Sequence, residues 1–253
     1  MPGRAVSEED MEPSDNVGAA DWIVTQLADR SYQVRMLLPP VFAAYARILH
    51  PVVTGTGAGR RLTRWHEIAA AAGLTPLDRC VQFPALTAGP GVQAADDPPH
   101  GELPGEDRDV LLRVLAAGTS TAGQCWFCVW DGYGLPGGQA SGRETGQLFM
   151  HVATPPGRPR GRHRVQRPAV CGFLDRRYFL YSGPLTASAA LGLPPSLYWP
   201  EDHAWAVAAD PDLDSTYVGG DAGLVGTLLA HPQLEVLPAG LDDPVTSDPG
   251  RNG

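Results

Sequence analysis

Apolar residues follow two regimes along this chain. In the first half they recur mostly at helical spacing. In the second half they form short runs rich in Tyr, Phe, Val and Trp, with turn residues between them. In residues 21–30, Ile23 and Leu27 share one helical face. "VRMLLP" then reads as a short extended run. Pro40 takes a favourable first helical position, and "PVFAAYARILH" predicts a helix with Val41, Tyr45, Ile48 and Leu49 as its apolar stripe, stopped by Pro51. "TRWHEIAAAAG" predicts another, ended by Gly73. Residues 88–105 are rich in Gly, Pro and Asp and read as a long loop. Glu106, Asp107 and Asp109 then place negative charge in the first turn of a helix, where its dipole favours it. Leu111, Val114 and Leu115 form that helix's buried face, and Gly118 ends it. Strands are expected over 124–130, 147–153, 168–174, 177–182, 203–209 and 233–237, with "LDRR" as a tight turn. A last helix runs from Asp221 to His231, before Pro232. The pattern predicts an α+β fold: N-terminal helices, then a largely antiparallel sheet with a late C-terminal helix packed on it.

Composition sharpens the domain boundaries. The 253 residues suffice for one core, but 30 glycines and 25 prolines assign much of the chain to loops and tails. The expected division is an acidic disordered tail over 1–17, a single α+β domain over 18–242 and a second tail over 243–253. Gly/Pro-rich loops are expected near 88–105 and 154–168. A net charge of −9 argues against coating nucleic acid or an anionic membrane, and is compatible with a protein partner. No run has the apolar length of a membrane span. "MPGRAVSEEDMEPSDN" lacks the apolar core of a secretory signal. A cytoplasmic location follows as the expectation, with the cysteines as reduced thiols.

The densest chemistry is "CWFCVWDGYG", residues 125–134, where Cys125 and Cys128 have the C-x-x-C spacing of metal and redox sites. The residues between them, Trp126 and Phe127, are strand formers. On a strand the two thiols point to opposite faces and cannot hold one ion. No metal or cofactor is expected. "DPDLDSTYVGGD" (210–221) places Asp210, Asp212 and Asp214 at the first three ligand positions of a calcium loop. Ser215 stands where that loop needs glycine, and Asp221 serves better as a helix N-cap. "RPRGRHRVQR" (158–167) is a basic loop able to meet a phosphate or an acidic partner. "GTGAGRR" (55–61), with glycines and arginines before a helix, could hold an anion but reads more simply as a connecting loop. Nucleophile-elbow and phosphate-loop motifs are not found. "LYWPEDHAW" (197–205) surrounds Glu201, Asp202 and His203 with Tyr198, Trp199 and Trp205, which suits a recognition surface or an acid–base pair.

"CWFCVWDGYG", "RRYFLYSGPL", "YWPEDHAW" and "DLDSTYVGG", in that order, resemble a family of uncharacterised actinobacterial proteins. The earlier "PPVFAAYARILHP" and "RWHEIAAAAG" resemble that family's N-terminal part, so the likeness spans residues 18–240. It supplies no activity, catalytic residue or substrate. "VWDGYG" is also similar to segments of immunity-type modules. The reading that results is a non-catalytic cytoplasmic module that binds a protein partner and is immunity-like. Its expected contact residues are Trp130, Asp131, Tyr133, Trp199, Asp202, His203 and Trp205, sharing one concave surface. The alternatives are a small-molecule hydrolase using Asp202 and His203, or a structural subunit of a larger assembly.

Overall fold

The computed structural model describes residues 11–27, 31–54, 61–88, 97–133, 170–173, 176–190 and 193–246. The expected strand at 147–153, the loop near 154–168 and the basic run at 158–167 lie outside them, as do residues 1–10 and 247–253.

An α+β fold is what the chain adopts. Eleven strands are described: β1 (Glu12–Pro13), β2 (Ala44–Leu49), β3 (Val52–Thr54), β4 (Arg61–Thr63), β5 (Cys125–Trp130), β6 (Val170–Phe173), β7 (Arg176–Gly183), β8 (Leu197–Pro200), β9 (Ala206–Ala208), β10 (Ser215–Gly220) and β11 (Val236–Ala239). Nine form one antiparallel sheet in the order β1-β7-β5-β8-β9-β10-β2-β11, with β6 also on β7, and β3 pairs with β4 separately. The helices are α1 (Asp21–Val24), α2 (Val34–Leu37), α3 (Trp65–Ala71), α4 (Phe83–Thr87), α5 (Gly105–Ala117) and α6 (Ala222–Leu229). None of them is long and apolar enough to cross a membrane.

Both faces of the sheet are covered, so its central strands are buried on both sides. On one face Ile23, Leu37, Leu38 and Val245 pack on Trp126, Cys128, Leu180, Trp199 and Tyr217. On the other, Val110, Leu111 and Leu115 of α5 and Leu224 and Leu228 of α6 pack on Phe127, Tyr198, Val207 and Val218. A third cluster joins Trp65, Ile68, Phe83 and Leu86 to Leu49 and Val52. β5 shows the alternation directly. Cys125 and Phe127 belong to the α5–α6 side, whereas Trp126 and Cys128 face the N-terminal side. The two thiols point to opposite faces.

Several sequence expectations are corrected. Residues 44–49, expected within a helix from Pro40 to Pro51, form β2 between β10 and β11. Tyr45, Ala46, Arg47, Ile48 and Leu49 are all buried. A strand covered on both faces carries no alternating polar marker, and Ala, Arg and Leu are helix formers in isolation. "VRML", expected to be extended, is the single turn α2. "LYWP" and "STYVGG" are β8 and β10, neither anticipated as a strand. Gly219 and Gly220 are required there. A Cβ on Gly219 would lie 2.4 Å from the Phe42 ring, and one on Gly220 would lie 2.6 Å from Leu224. Segments assigned to the tails also take part: Glu12 and Pro13 pair with Ser182 and Tyr181, and Val245 is buried.

Arg47 is a buried charge on β2, between β10 and the edge strand β11, 2% exposed. Its Nε donates to Ser215 Oγ at 2.9 Å and its Nη1 to the Val81 carbonyl at 2.6 Å. Asp214 lies 3.5 Å from Nη2. The guanidinium sits 5.4 Å from the Trp65 ring centre and 6.0 Å from that of Tyr217. Arg64 makes a second internal clamp, gripping Asp107 with Nη1 at 2.5 Å and Nη2 at 2.9 Å, which fixes α3 to α5. At the other end of the chain, Asp221 caps α6 by accepting from the Leu224 N–H at 2.7 Å.

Two stability outcomes follow. Arg47→Met should cost about 3 kcal/mol or more in urea unfolding, because Asp214 loses its cation and the Val81 carbonyl its donor. A cost below about 1 kcal/mol would show the guanidinium to be dispensable. Asp221→Ala should cost about 1 kcal/mol through loss of the cap, with or without calcium.

Candidate functional site

The residues expected to share one surface separate into four places. β5 and β8 are neighbours, but they run antiparallel, so their C-terminal ends lie at opposite edges. Pro200 pairs with Cys125, whereas Trp130 pairs with Tyr178. Five residues of strand, about 17 Å at the usual rise, separate "WDGYG" from "WPEDH". Trp199 and Trp205 are fully buried, and on opposite faces of the sheet. The Trp205 indole donates to the Leu115 carbonyl at 2.9 Å, closing the end of α5. The concave surface joining all seven residues is therefore not formed.

At the Trp130 end of β5 a short 3₁₀ turn follows, Asp131–Tyr133. Trp130 and Tyr133 meet edge to face with ring centres 5.3 Å apart. Arg176 lies over Trp130, 5.3 Å from the ring centre. It also holds Asp210, with both oxygens at 3.1 Å, and pairs with Asp212. Asp131 lies 3.6 Å from Arg177. The three aspartates of the calcium-like segment thus serve two arginines in different places, Arg176 and Arg47, and do not converge. Among the described residues no group of three or more His, Cys, Asp or Glu side chains is arranged to hold a metal ion.

At the opposite edge, Asp202 is a knot of hydrogen bonds. It accepts from Thr119 Oγ1 at 2.7 Å, Ser120 N–H at 2.9 Å, Ser120 Oγ at 2.8 Å and Ala204 N–H at 3.2 Å. Partial burial works to raise its pKa, but these donors outweigh it and hold the carboxyl well below the ordinary range. Both oxygens are committed to the loop after α5, so Asp202 is a poor proton acceptor. Glu201 is likewise engaged, accepting from the Trp126 indole at 2.5 Å. His203 has φ +54°, in the left-handed region, and its ring stacks on Trp22 with centres 4.1 Å apart. Desolvation against that ring lowers its pKa despite the nearby Glu201 and Asp202. Trp22 also meets Phe42 at 6.2 Å and Trp199 at 6.1 Å, both edge to face. The result is a ledge of Trp22, Phe42 and His203, with Val41 exposed beside it and Asp21, Glu201 and Asp202 at its rim.

The sequence reading found Asp202 and His203 but not Trp22 or Phe42, which lie in segments far away along the chain. It also missed His50 and Thr216. His50 is fully buried, and its Nδ1 lies 2.6 Å from the Pro99 carbonyl. A carbonyl only accepts, so Nδ1 carries the proton and Nε2 accepts from Thr216 Oγ1 at 2.8 Å. That arrangement resembles a hydroxyl activated by a base. Burial, however, lowers His50 to about 4, against the opposing effect of the Pro99 contact. So weak a base provides little driving force for proton removal at neutral pH. The Cys125 thiol is unsuited to nucleophilic work for a parallel reason: burial, then the charge of Asp202, pushes it up to about 12.

Comparison with family models, with curated proteins and with solved structures found no match to this chain.

The depressed carboxyl of Asp202 gives a pH signature. Its contribution to stability is present above the unfolded carboxyl's pKa and is lost as pH falls through the lower folded value. Asp202→Asn should therefore melt below wild type at neutral pH, and the gap should close in acid below the ordinary carboxylate range. A gap that stays constant with pH would show that the ionised carboxylate is not what the loop requires.

Proposed function

We propose that this chain is a non-catalytic module that binds a protein partner through the Trp22–Phe42–His203 ledge. The observation that carries the reading is His203 itself. A non-glycine residue is held at positive φ, and its ring lies flat on a half-buried tryptophan at the surface. Backbone strain of this kind costs about 1–3 kcal/mol and tends to persist where function needs the geometry. Half-buried Trp22 and Phe42 beside the exposed His203 ring, with an acidic rim, suit a partner that offers an apolar or basic side chain to the ring faces. The acid–base alternative at Asp202 and His203 has less support, since both Asp202 oxygens are occupied and the imidazole stacks on Trp22. The net charge of −9 favours a protein over a nucleic acid as the partner. A cytoplasmic, immunity-like role, with actinobacterial relatives, fits the same reading.

His203→Gly separates recognition from folding. Glycine adopts positive φ without strain, so the variant should melt at or slightly above wild type, by a gain of up to about 1 kcal/mol. In cross-linked pull-downs from the native host, wild type should retain one partner at a stoichiometric level. His203→Gly and Trp22→Ala should reduce that retention at least about tenfold. A partner held equally by wild type and both folded variants would place the interface elsewhere. Turnover of a substrate abolished by Asp202→Asn would replace binding with catalysis.

A further inference from the structure

A second candidate lies away from the ledge, between α5, the segment at 101–103, the segment at 193–195 and strands β8 and β10. There the fold leaves a cavity of about 130 Å³. Leu103, Leu111, Leu112 and Tyr198 give it apolar walls, and Arg108, Ser188 and Thr216 bring polar groups to it. A dry apolar cavity of about this size holds a benzene-sized molecule.

The polar groups differ in what they leave free. Ser188 donates its proton to the Leu185 carbonyl at 2.7 Å. Thr216 gives its proton to His50 Nε2, as described above. Arg108 uses Nη1 on Glu102 at 2.7 Å, while its Nε is buried and has no hydrogen-bond partner among the described residues. An unpaired buried donor is unfavourable, a penalty that a ligand oxygen would remove. The Nε-side edge of a guanidinium is also the edge that holds a carboxylate with two parallel N–H donors. The Glu102 side chain is 45% exposed, so its ion pair with Arg108 is solvent-screened and yields readily to a better-seated anion. Tyr198 is kept protonated by burial, so this wall adds no negative charge to repel one.

We propose that this cavity binds a small monocarboxylate with an apolar body, its carboxylate on Arg108 and its body against Leu103, Leu111 and Tyr198. The site is independent of the ledge and does not rest on the protein-binding reading.

The probe is benzoate, titrated calorimetrically into the full chain, with benzamide as its neutral counterpart. Benzoate should bind, and at least about tenfold more tightly than benzamide, because charge-assisted bonds to the guanidinium are about twice as strong as neutral ones. Arg108→Met should abolish the preference for benzoate, and should Arg108→Met fail to fold, Arg108→Lys should reduce it. Glu102→Gln removes the competing carboxylate and should tighten benzoate severalfold, a gain a purely structural Arg108 would not produce. Lack of benzoate binding at about 10 mM, equal affinity for benzamide, or an unchanged affinity in Glu102→Gln would each overturn the proposal.

Discussion

Arg47 determines how the middle of this protein is built. A guanidinium in the interior of a sheet is costly unless every face of it is engaged. Here the engagement comes from separate stretches of chain: Ser215 and Asp214 at β10, the Val81 carbonyl ahead of α4, Trp65 at the start of α3 and Tyr217 across the strand pair. The third hydrophobic cluster is thereby tied to the sheet. The indole of Trp65 extends the connection by donating to the His50 carbonyl at 2.8 Å, just beyond the end of β2. With β2 and β10 fixed in this way, the strand order outward to β5 and β7 determines which loops lie at which edge.

Among the described residues, that arrangement engages many of the carboxylates. Asp210 and Asp212 hold Arg176, Asp214 faces Arg47, Asp107 holds Arg64, and Asp202 ties the loop after α5 to the end of β8. These pairings stabilise the fold, and at Asp202 the donors favour the charged carboxylate and leave it little proton affinity for catalysis. Among the described residues, two features stand out for recognition. One is an aromatic surface, Trp22 with His203, whose geometry costs backbone strain. The other is an incompletely paired guanidinium beside a small apolar cavity.

The parts of this architecture legible in the sequence are those governed by local rules. α5 announces itself through acidic residues in its first turn, and α6 through its Asp221 cap. The antiparallel pairing of β6 with β7 follows from the two strand-like runs on either side of "LDRR", and the opposed faces of Cys125 and Cys128 follow from strand alternation. β2 was not legible, because a strand buried on both sides loses the polar alternation that would distinguish it from a helix. β10 was hidden by its own glycines and by the aspartates that flank it, which suggest a loop until Phe42 and Leu224 are seen against Gly219 and Gly220. The site was half legible. Asp202 and His203 stand out beside their aromatics, but the residue that gives His203 its meaning, Trp22, is far away along the chain. Arg108 resembles any surface arginine of a helix until the cavity beside it is known.

The central claim is that residues 44–49 form an interior strand locked by Arg47, with β10 and β11 on its two sides. Native-state hydrogen exchange tests it most directly. Amides of 45–48 and 216–219 should be among the slowest in the protein, exchanging only through global unfolding and with a common free energy. Exchange of 45–48 through low-energy local openings, uncoupled from 216–219, would contradict the account and return this segment to the peripheral helix its sequence suggests.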